Sequence, residues 1–323
     1  MRILYCIRNN YLQDFAGDSM QLLTTVDYMR EKGVEAVIND GSITDYENYD
    51  IIHLFNLTRI SETYMSFVKA KKSHRPIVIT PIYWDLAKFY DSTGSVSRQM
   101  LWAKYKEFRN EILNGCSMVY PASVNEMMLI KSEYGNVPCN VVYNCLSDKI
   151  PIDKKPSKDK KPYILCVGRI CPRKNQLTLA KVCNELGKKL VLIGDASNHD
   201  YLNKCLEYSN VEHKSYMAPN KLYKYYSQAS LHVLCSFVET PGLSSLEAAA
   251  CGCNIVSTSE GCAKEYFEKM ANYCDPYNEK SIKEAIISGL SQDFQPKLQK
   301  HILKHFNRNA CLKTLYDSYK KLV

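Results

Sequence analysis

Two glutamates, Glu239 and Glu247, stand eight positions apart around a short stretch that contains Pro241 and Gly242. Proline and glycine disfavour regular structure, and the sequence that follows them is rich in helix formers. We therefore expect Glu239 on a loop and Glu247 within the next helix. The first amides of that helix, from about Gly242 to Ser245, would be unpaired N–H groups suited to a phosphate. Because carboxylates accept hydrogen bonds from hydroxyls, the pattern predicts a sugar nucleotide held between two acids.

A second segment carries the positive charges that a diphosphate needs. An apolar run, predicted to be a buried strand, ends at Gly168, with Arg169 directly after it and Lys174 at the start of the next helix. Ligands of doubly wound sheets bind at the carboxyl ends of strands, so Arg169, Glu239 and the amides after Gly242 are expected to converge. Arg presents a bidentate fork and Lys a point charge, which together could replace a metal ion.

These segments resemble the retaining glycosyltransferases of family 4 (glycosyl transferases group 1), which have a Glu-x7-Glu motif, a Val-Gly-Arg…Lys element and the GT-B fold. Weaker matches lie at 142–145 and 272–276. The resemblance implies that Arg169 and Lys174 hold the donor pyrophosphate, that Glu247 accepts from the ribose hydroxyls and that Glu239 accepts from the donor sugar. The expected catalytic residues are Arg169, Lys174 and Glu239, and the expected donor-binding residues are Gly168, Arg169, Lys174, Glu239, Gly242, Leu243, Ser244 and Glu247.

The alternation of strand and helix patterns in both halves implies parallel sheets with right-handed crossovers. A chain of 323 residues is long enough for two cores. We expect an α/β GT-B protein with two Rossmann-like, doubly wound parallel-sheet domains facing a central cleft. The predicted parts are an acceptor-binding domain over 1–148, a Lys/Pro-rich linker over 149–161, a nucleotide-sugar-binding domain over 162–305 and, by resemblance, a helix over about 306–323 that packs back on the first domain.

Three predicted elements matter for the sites. Residues 140–143 are expected to form a strand, residues 99–113 one helix, and residues 245–251 the helix that contains Glu247. The tail, from 295 to 323, is expected to be helical and amphipathic.

The sequence of the predicted first domain contains fewer candidate site residues. Gly17 and Asp18 occupy the place of the Gly-Gly loop of the family, with Ala16 in place of the first glycine, which implies some restriction of that loop. His53 ends an apolar strand, where a core histidine and a site residue are equally expected.

The usual sugar-contacting histidine after the fourth strand is absent, because this chain has Tyr83, Trp84 and Asp85 there. An aromatic ring suits a sugar face and a carboxylate suits its hydroxyls, so we predict that these three residues bind the acceptor or the sugar. Aromatic residues after a strand are also typical of a core.

The amino-acid composition limits the expected partners and cellular location of the protein. Six lysines within 149–161 account for much of the net charge of +8. They indicate a solvated hinge or, alternatively, attraction to an anionic membrane at about 1 kcal/mol per residue close to lipid. The 24 tyrosines are spread without a nucleic-acid-binding motif, so no nucleic-acid partner is expected. The 14 cysteines lack zinc spacing and are expected to be reduced packing residues, and the lack of a signal peptide or long apolar run predicts a cytoplasmic protein.

We therefore expect a retaining, metal-independent hexosyltransferase (EC 2.4) that moves a sugar from a nucleoside-diphosphate sugar to a glycan or lipid-linked acceptor in cell-surface polysaccharide biosynthesis. No cofactor is expected, since the sugar nucleotide is the donor substrate. One alternative is a GT-B sugar-nucleotide epimerase, which needs acid/base groups for which no placement signal is found. The other is a non-catalytic sugar-nucleotide-binding GT-B module, against which the intact Arg169, Lys174, Glu239 and Glu247 argue.

Overall fold

The computed structural model describes residues 1–148 and 160–323, which form two compact α/β units. Unit 1 comprises Met1–Cys145 and Arg308–Val323, and unit 2 comprises Leu146–Asn307. The predicted linker over 149–161 lies outside the described residues except at its last two positions, where Lys160 donates a hydrogen bond to the Gly252 carbonyl (3.0 Å) and Lys161 begins a strand.

Unit 1 contains a sheet of five parallel strands, with helices between most successive strands. Its elements up to residue 134 are β1 (Arg2–Cys6), α1 (Gly17–Glu31), β2 (Glu35–Asn39), β3 (Ile51–Phe55), α2 (Ile60–Lys72), β4 (Ile77–Thr80), α3 (Ala87–Ser92), α4 (Val96–Lys104), α5 (Lys106–Gly115), β5 (Met118–Val119) and α6 (Val124–Tyr134). The strand order is β2-β1-β3-β4-β5. β3 and β4 are buried along their whole length, as their near-continuous apolar sequences require in a parallel sheet.

The described residues of unit 2 form six parallel strands in the order β11-β10-β9-β6-β7-β8. Its elements are β6 (Lys161–Val167), a 3-10 helix (Pro172–Lys174), α7 (Gln176–Glu185), β7 (Lys189–Ile193), α8 (His199–Leu206), β8 (Val211–Lys214), α9 (Pro219–Gln228), β9 (Ala229–Leu234), α10 (Leu243–Ala250), β10 (Ile255–Thr258), α11 (Ala263–Phe267), β11 (Asn272–Cys274), α12 (Glu279–Ser291) and α13 (Pro296–His305). The last helix of the chain, α14 (Arg308–Tyr319), belongs to unit 1.

α14 completes the core of unit 1. Its Leu312, Leu315 and Tyr319 are buried with Ile3 and Tyr5 of β1. The predicted helical tail is therefore two helices, because α13 lies in unit 2 and α14 in unit 1. No helix within 1–148 or 160–323 combines the length and the apolar character needed to cross a bilayer.

Residues 140–143 are not a strand, contrary to the prediction. The amides of Asn140 and Val142 donate to the carbonyls of Val119 and Pro121 (both 2.9 Å), but only a single bridge, between Val119 and Cys139, forms beside β5. Proline has no amide hydrogen, so Pro121 cannot donate back and the ladder stops there.

The predicted helix over 99–113 is two helices, α4 and α5, which are separated at Tyr105. The carbonyl of Trp102 accepts a hydrogen bond from the Arg109 guanidinium (2.7 Å), whereas in an unbroken helix that carbonyl would accept from the Lys106 amide. At the break between the two helices, the buried Arg109 guanidinium thus donates to the Trp102 carbonyl in place of a backbone amide.

Candidate active site

The candidate site lies in unit 2, where two neighbouring strands end. β6 and β9 pair in parallel, so the loops that follow Val167 and Leu234 begin at the same edge of the sheet. The first loop carries Gly168 and Arg169, and the second carries Glu239 and leads into α10. The structure therefore brings together the segments that the sequence predicts to converge.

α10 begins two residues earlier than predicted, at Leu243. The amides of Ser245 and Leu246 donate to the Gly242 carbonyl (2.9 and 3.3 Å), so the Ser245 amide is part of the helix and is not unpaired as predicted. The amides of Leu243 and Ser244 have no acceptor among the described residues. These two N–H groups and the positive end of the helix dipole are the anion-binding elements of this terminus.

Gly242 fits its place as the N-cap of α10 for steric reasons. Its φ is +86°, in the region that favours glycine, and a Cβ there would lie 2.8 Å from a methyl carbon of Leu234. A side chain there would be strained by the positive φ and would require the Leu234 side chain to shift.

Ser244 fixes the terminus of α10 against β6. Its hydroxyl donates to the Val167 carbonyl (2.8 Å), one residue before Gly168. Gly168 has a φ of +152°, and a Cβ built on it meets no atom within 4 Å, so open space lies beside its Cα. On its other side, the Gly168 amide donates to the Ile193 carbonyl (2.9 Å). A ligand can thus approach the backbone of Gly168 next to the start of α10.

Lys174 and Glu239 form a buried ion pair that the sequence did not predict. The ammonium of Lys174, at the end of the 3-10 helix, contacts the Glu239 carboxylate, and their side chains are only 16% and 5% exposed. Ser236 donates a second hydrogen bond to the same carboxylate (2.6 Å). Burial alone would raise the pKa of Glu239, but the charges of Lys174 and Arg173 outweigh it and hold that pKa below its usual value. Glu239 is therefore a carboxylate with its countercharge already in place.

The backbone at Glu239 is held by the segment that follows β10. The Glu239 amide donates to the Glu260 carbonyl (3.2 Å), and the Cys262 amide donates to the Glu239 carbonyl (3.1 Å). Between them, Gly261 has a φ of +114°, and a Cβ there would lie 1.9 Å from the Glu239 carbonyl oxygen. Only glycine permits this close approach.

Three residues that the sequence analysis missed position the cations of the site. Asn175 adopts the left-handed conformation (φ +58°), and its side-chain amide donates to the carbonyls of Cys235 and Pro276 (3.2 and 3.0 Å). Arg173 donates to the Val238 carbonyl (3.2 Å) and Gln176 to the Arg169 carbonyl (2.9 Å). The only sequence signal was an asparagine directly after Lys174, since asparagine tolerates a positive φ.

The remaining predicted donor residues differ in their surroundings. Arg169 is half-buried in the loop after β6. Glu247 lies within α10, where it is nearly buried and accepts a hydrogen bond from the Tyr226 hydroxyl (2.8 Å). Burial raises the pKa of Glu247 to about 7, against which the Tyr226 hydrogen bond acts in the opposite direction. The two glutamates of the motif thus differ in charge state near neutrality.

The predicted residues of unit 1 do not form one open surface. Gly17 is the first residue of α1, and the buried Asp18 is ion-paired with Arg8 and accepts a hydrogen bond from Asn56 (3.1 Å). His53 is fully buried, contacts the Tyr319 hydroxyl, and its pKa is lowered by burial to about 3. Of the two interpretations of His53, the structure favours the neutral core histidine. Asp18 likewise has its hydrogen-bonding capacity engaged within the fold.

Tyr83 is a core residue, which corrects its prediction as a ring for a sugar face. It is fully buried, its hydroxyl donates to Glu133 (2.8 Å), and its ring stacks on Trp102 at 6.0 Å. Asp85 is half-buried and accepts from the Trp102 indole N–H (2.8 Å), and Trp84 is half-buried. A role in acceptor binding stays a prediction for Trp84 and Asp85.

If Glu247 accepts hydrogen bonds from a ribose, as the resemblance implies, the affinity for a nucleoside-diphosphate sugar should rise with pH through about 7, the pKa of Glu247. Only the carboxylate accepts hydrogen bonds at both oxygens, so ribose hydroxyls should bind it better than the protonated acid. If binding lowers this pKa by one unit, the affinity changes about tenfold across the transition. Calorimetric titrations of wild type and Glu247→Gln should show this dependence in wild type alone, with Glu279→Gln on α12 as the control. A pH profile that survives in Glu247→Gln would contradict this assignment.

The raised pKa of Glu247 also makes the stability of the folded protein depend on pH. The pKa of Glu247 is raised above the ordinary value of 4.5, so the folded protein holds a proton that the unfolded chain has lost between pH 4.5 and about 7. The contribution of Glu247 to the free energy of unfolding therefore falls as the pH rises through that range.

Comparisons with known proteins agree with this architecture. The sequence profile of the glycosyl transferases group 1 family matches residues 148–310, half of the chain. Sucrose-phosphate synthase from Thermosynechococcus elongatus is 16% identical, with a TM-score of 0.82 over 99% of this chain and 98% of that one. HepE from Anabaena in complex with UDP-glucose is 15% identical, with a TM-score of 0.75 over 99% and 100%. No curated protein matches the chain significantly in sequence.

A third similar structure is the apo form of the lipopolysaccharide outer core galactosyltransferase WaaB, at 14% identity and a TM-score of 0.68 over the full length of both chains. Identities this low are informative about the fold alone. Two α/β units with parallel sheets, together with these neighbours, give the GT-B fold that the sequence predicted. The segment that matches the family profile contains every residue from Gly168 to Glu247, and the chain belongs to the glycosyl transferases group 1 family.

Proposed function

We propose that this protein is a retaining, metal-independent glycosyltransferase that moves a hexosyl group from a nucleoside-diphosphate sugar to a glycan or lipid-linked acceptor. In this proposal it works in cell-surface polysaccharide biosynthesis at the cytoplasmic face of a membrane, without a cofactor or a nucleic-acid partner. The observation that carries the proposal is the gathering of the Lys174–Glu239 pair, the free amides of α10 and the open backbone of Gly168 at one edge of a parallel sheet.

The chemistry of transfer follows from where charge grows. When the glycosyl bond breaks, the leaving diphosphate gains negative charge and the sugar becomes cation-like, so fixed positive groups at the diphosphate lower the barrier. We assign that role to Arg169, Lys174 and the amides of Leu243 and Ser244. Because Lys174 is held by Glu239 before any donor arrives, its position needs little reorganisation during the reaction.

The two acids bind the ends of the donor in this proposal. Glu247 accepts from the ribose hydroxyls, and Glu239 accepts from hydroxyls of the transferred sugar while it retains Lys174. In this mechanism the bond between the anomeric carbon and the diphosphate oxygen breaks, the acceptor oxygen bonds to that carbon, and the oxygen of the leaving phosphate takes the proton of the acceptor hydroxyl.

A ligand screen tests the function most directly. We propose a UDP-sugar as the first donor class, because HepE, which shares the fold, is described in complex with UDP-glucose. Thermal-shift measurements with UDP-, GDP-, ADP- and dTDP-sugars should show one strong stabiliser, since a ligand at about 100 times its Kd adds about 2.7 kcal/mol. The bound donor should then be hydrolysed slowly or transferred, and a donor that binds but never turns over would indicate a non-catalytic module.

We expect activity to persist in excess EDTA. Arg169, Lys174 and the α10 amides already offset the charge of the diphosphate, so a divalent cation is not required for that purpose. The measurement is product formation from a dialysed enzyme with and without chelator. Complete loss of activity that magnesium or manganese restores would overturn the metal-independent mechanism.

Alanine substitutions should separate the roles of the two acids. Above pH 7, where Glu247 is a carboxylate, Glu247→Ala is expected to weaken binding of the bare nucleoside diphosphate by about 1.5–3 kcal/mol, the usual value for hydrogen bonds to a charged group. Glu239→Ala should not weaken that affinity, because the bare nucleotide has no sugar for Glu239 to contact and Lys174, without its ion-pair partner, can still meet the diphosphate; its loss should appear in sugar transfer. Calorimetry with the nucleotide and kinetics with the intact donor distinguish the two, and equal losses of nucleotide affinity would disprove the division.

A further inference from the structure

The loop after β4, residues 81–86, contains a strained residue. Ile82 has a φ of +47°, a left-handed conformation that is an outlier for a β-branched side chain. Such strain persists only where the surrounding structure enforces it, and it is concentrated at binding and catalytic sites. The loop begins at the carboxyl edge of the unit 1 sheet, where ligands of doubly wound folds bind. The strained backbone therefore indicates a loop that is held in place for a ligand.

Glu126 enforces the conformation of this loop. It lies in the first turn of α6, is fully buried, and accepts hydrogen bonds from the amides of Tyr83 and Ala122 (both 2.6 Å), one at each carboxylate oxygen. The first bond fixes the residue directly after Ile82, and the second ties the loop to the segment after β5. The Ser123 hydroxyl already caps α6, because it accepts from the Glu126 amide (2.9 Å). The cap of the helix therefore does not explain a buried acid, which is costly unless it is hydrogen-bonded.

The residues on both sides of Trp84 are fixed. Tyr83 is buried and its hydroxyl donates to Glu133 (2.8 Å), and Asp85 accepts a hydrogen bond from the Trp102 indole (2.8 Å). Trp84 itself is half-buried, and its indole N–H has no acceptor among the residues that the structure describes. The loop thus presents one aromatic ring and one open hydrogen-bond donor.

An accessible indole face with an open N–H suits a sugar ring. The C–H groups of a pyranose can pack on the face of the indole, and a hydroxyl oxygen of the same sugar can accept from the N–H. An acyl chain would leave that N–H without a partner. The segment 81–92 contains two aspartates and one lysine, so it has no excess of positive charge to attract a phosphate. A saccharide is therefore the ligand class that uses both the ring and the donor of Trp84.

We propose that Glu126 is a positioning residue that holds the loop after β4 so that Trp84 contacts a sugar ring of the acceptor. Glu126 does not touch the sugar and acts through the amide of Tyr83. The inference rests on the proposed function, because it takes this sugar to be part of the acceptor of the transfer reaction. It narrows the acceptor group at this loop to a saccharide.

The two tryptophans of the chain allow a direct test, because each contributes one indole N–H resonance to the proton–nitrogen NMR spectrum of the full chain. Trp84→Phe identifies the resonance of Trp84. The probes are the methyl glycosides of glucose, galactose and N-acetylglucosamine, with inorganic phosphate and dodecylphosphocholine as the competing ligand classes. No donor is added.

The test variant is Glu126→Gln, which retains the size of the side chain but has one acceptor oxygen for two amides. Glu126→Asp, which is one methylene too short to reach both amides, replaces it if the glutamine variant does not fold. The matched control is Ser123→Ala, which removes the N-cap of the same helix and leaves the Glu126 carboxylate in place.

Wild type should show a saturable shift of the Trp84 resonance with at least one methyl glycoside and none with phosphate. In Glu126→Gln the affinity read from this shift should fall by about tenfold to 10²-fold, because a small misplacement of a binding group has a large effect. Ser123→Ala should have a lower Tm but the affinity of wild type. If the role of Glu126 were only structural, both variants would lose affinity in proportion to their loss of Tm.

Kinetics give a second measurement once the donor is known. With the methyl glycoside as acceptor, Glu126→Gln should lower the ratio of sugar transfer to donor hydrolysis, since water needs no sugar subsite, and should raise the acceptor KM more than it lowers kcat. Ser123→Ala should retain the ratio of wild type.

Four results would overturn the inference. They are no shift of the Trp84 resonance with any glycoside, unchanged affinity in Glu126→Gln, an equal loss in Ser123→Ala, and a stronger response to dodecylphosphocholine than to every glycoside. The NMR measurement needs no donor, so it is independent of the donor site. A protein that binds no sugar nucleotide but shows the Glu126-dependent shift would mean that the proposed function has failed and that the sugar subsite stands.

Discussion

Replacing Arg169 or Lys174 by alanine is expected to lower the turnover number by about 10²–10³, or about 3–4 kcal/mol in the barrier. In the proposed mechanism both cations face the charge that grows on the leaving diphosphate, so they would stabilise the transition state more than the bound donor. The loss should therefore appear in kcat and not only in KM. Steady-state kinetics with saturating acceptor give both constants once the donor is known.

The double variant and a conservative substitution sharpen this test. If the two cations serve the same phosphates, as proposed, Arg169→Ala/Lys174→Ala should lose less than the product of the single losses. Arg169→Lys should recover part of the activity, because it keeps the charge but not the bidentate fork. Lys181→Ala, which removes an exposed lysine paired with Glu279 in the same unit, should be as active as wild type. A raised KM with a normal kcat would mean that the cations only anchor the donor.

Lys174→Met is expected to destabilise the protein by about 3–5 kcal/mol, because it leaves the carboxylate of Glu239 buried without its countercharge. Lys174→Met/Glu239→Gln removes both charges and should restore most of the stability. The measurement is the free energy of unfolding from denaturant titration of both variants and of Glu239→Gln. A Lys174→Met protein as stable as wild type would show that the pair is solvated in solution.

The contribution of the Lys174–Glu239 pair to stability should decrease at low pH. The pKa of Glu239 is lowered relative to the ordinary value of 4.5. Its contribution to stability is therefore present above pH 4.5 and is lost as the pH falls through the folded-state pKa. Glu239→Gln should abolish that part of the acid sensitivity, whereas a change at the exposed pair of Lys280 and Glu284 should not.

Local sequence determined the strands and the segments of the donor site. β3 and β4 are continuous apolar runs in the sequence, as strands buried on both faces are. The parallel order of such strands then places their carboxyl ends at one edge, which is why Arg169, Glu239 and the amides after Gly242 could be predicted to converge. The resemblance to the family rested on the motifs in these loops, and the match of the family profile to residues 148–310 shows the membership.

Only the tertiary structure decided which groups are paired and which are open. Lys174 and Glu239 are 65 positions apart and meet because β6 and β9 are neighbours, so no local pattern reveals their ion pair. The core positions of Tyr83 and His53 depend on Trp102 and Tyr319, which come from distant parts of the chain. Burial, and with it the charge of Glu247 near neutrality, is set by the packing of α9 and α10, since desolvation depends on all surrounding atoms and not on sequence neighbours.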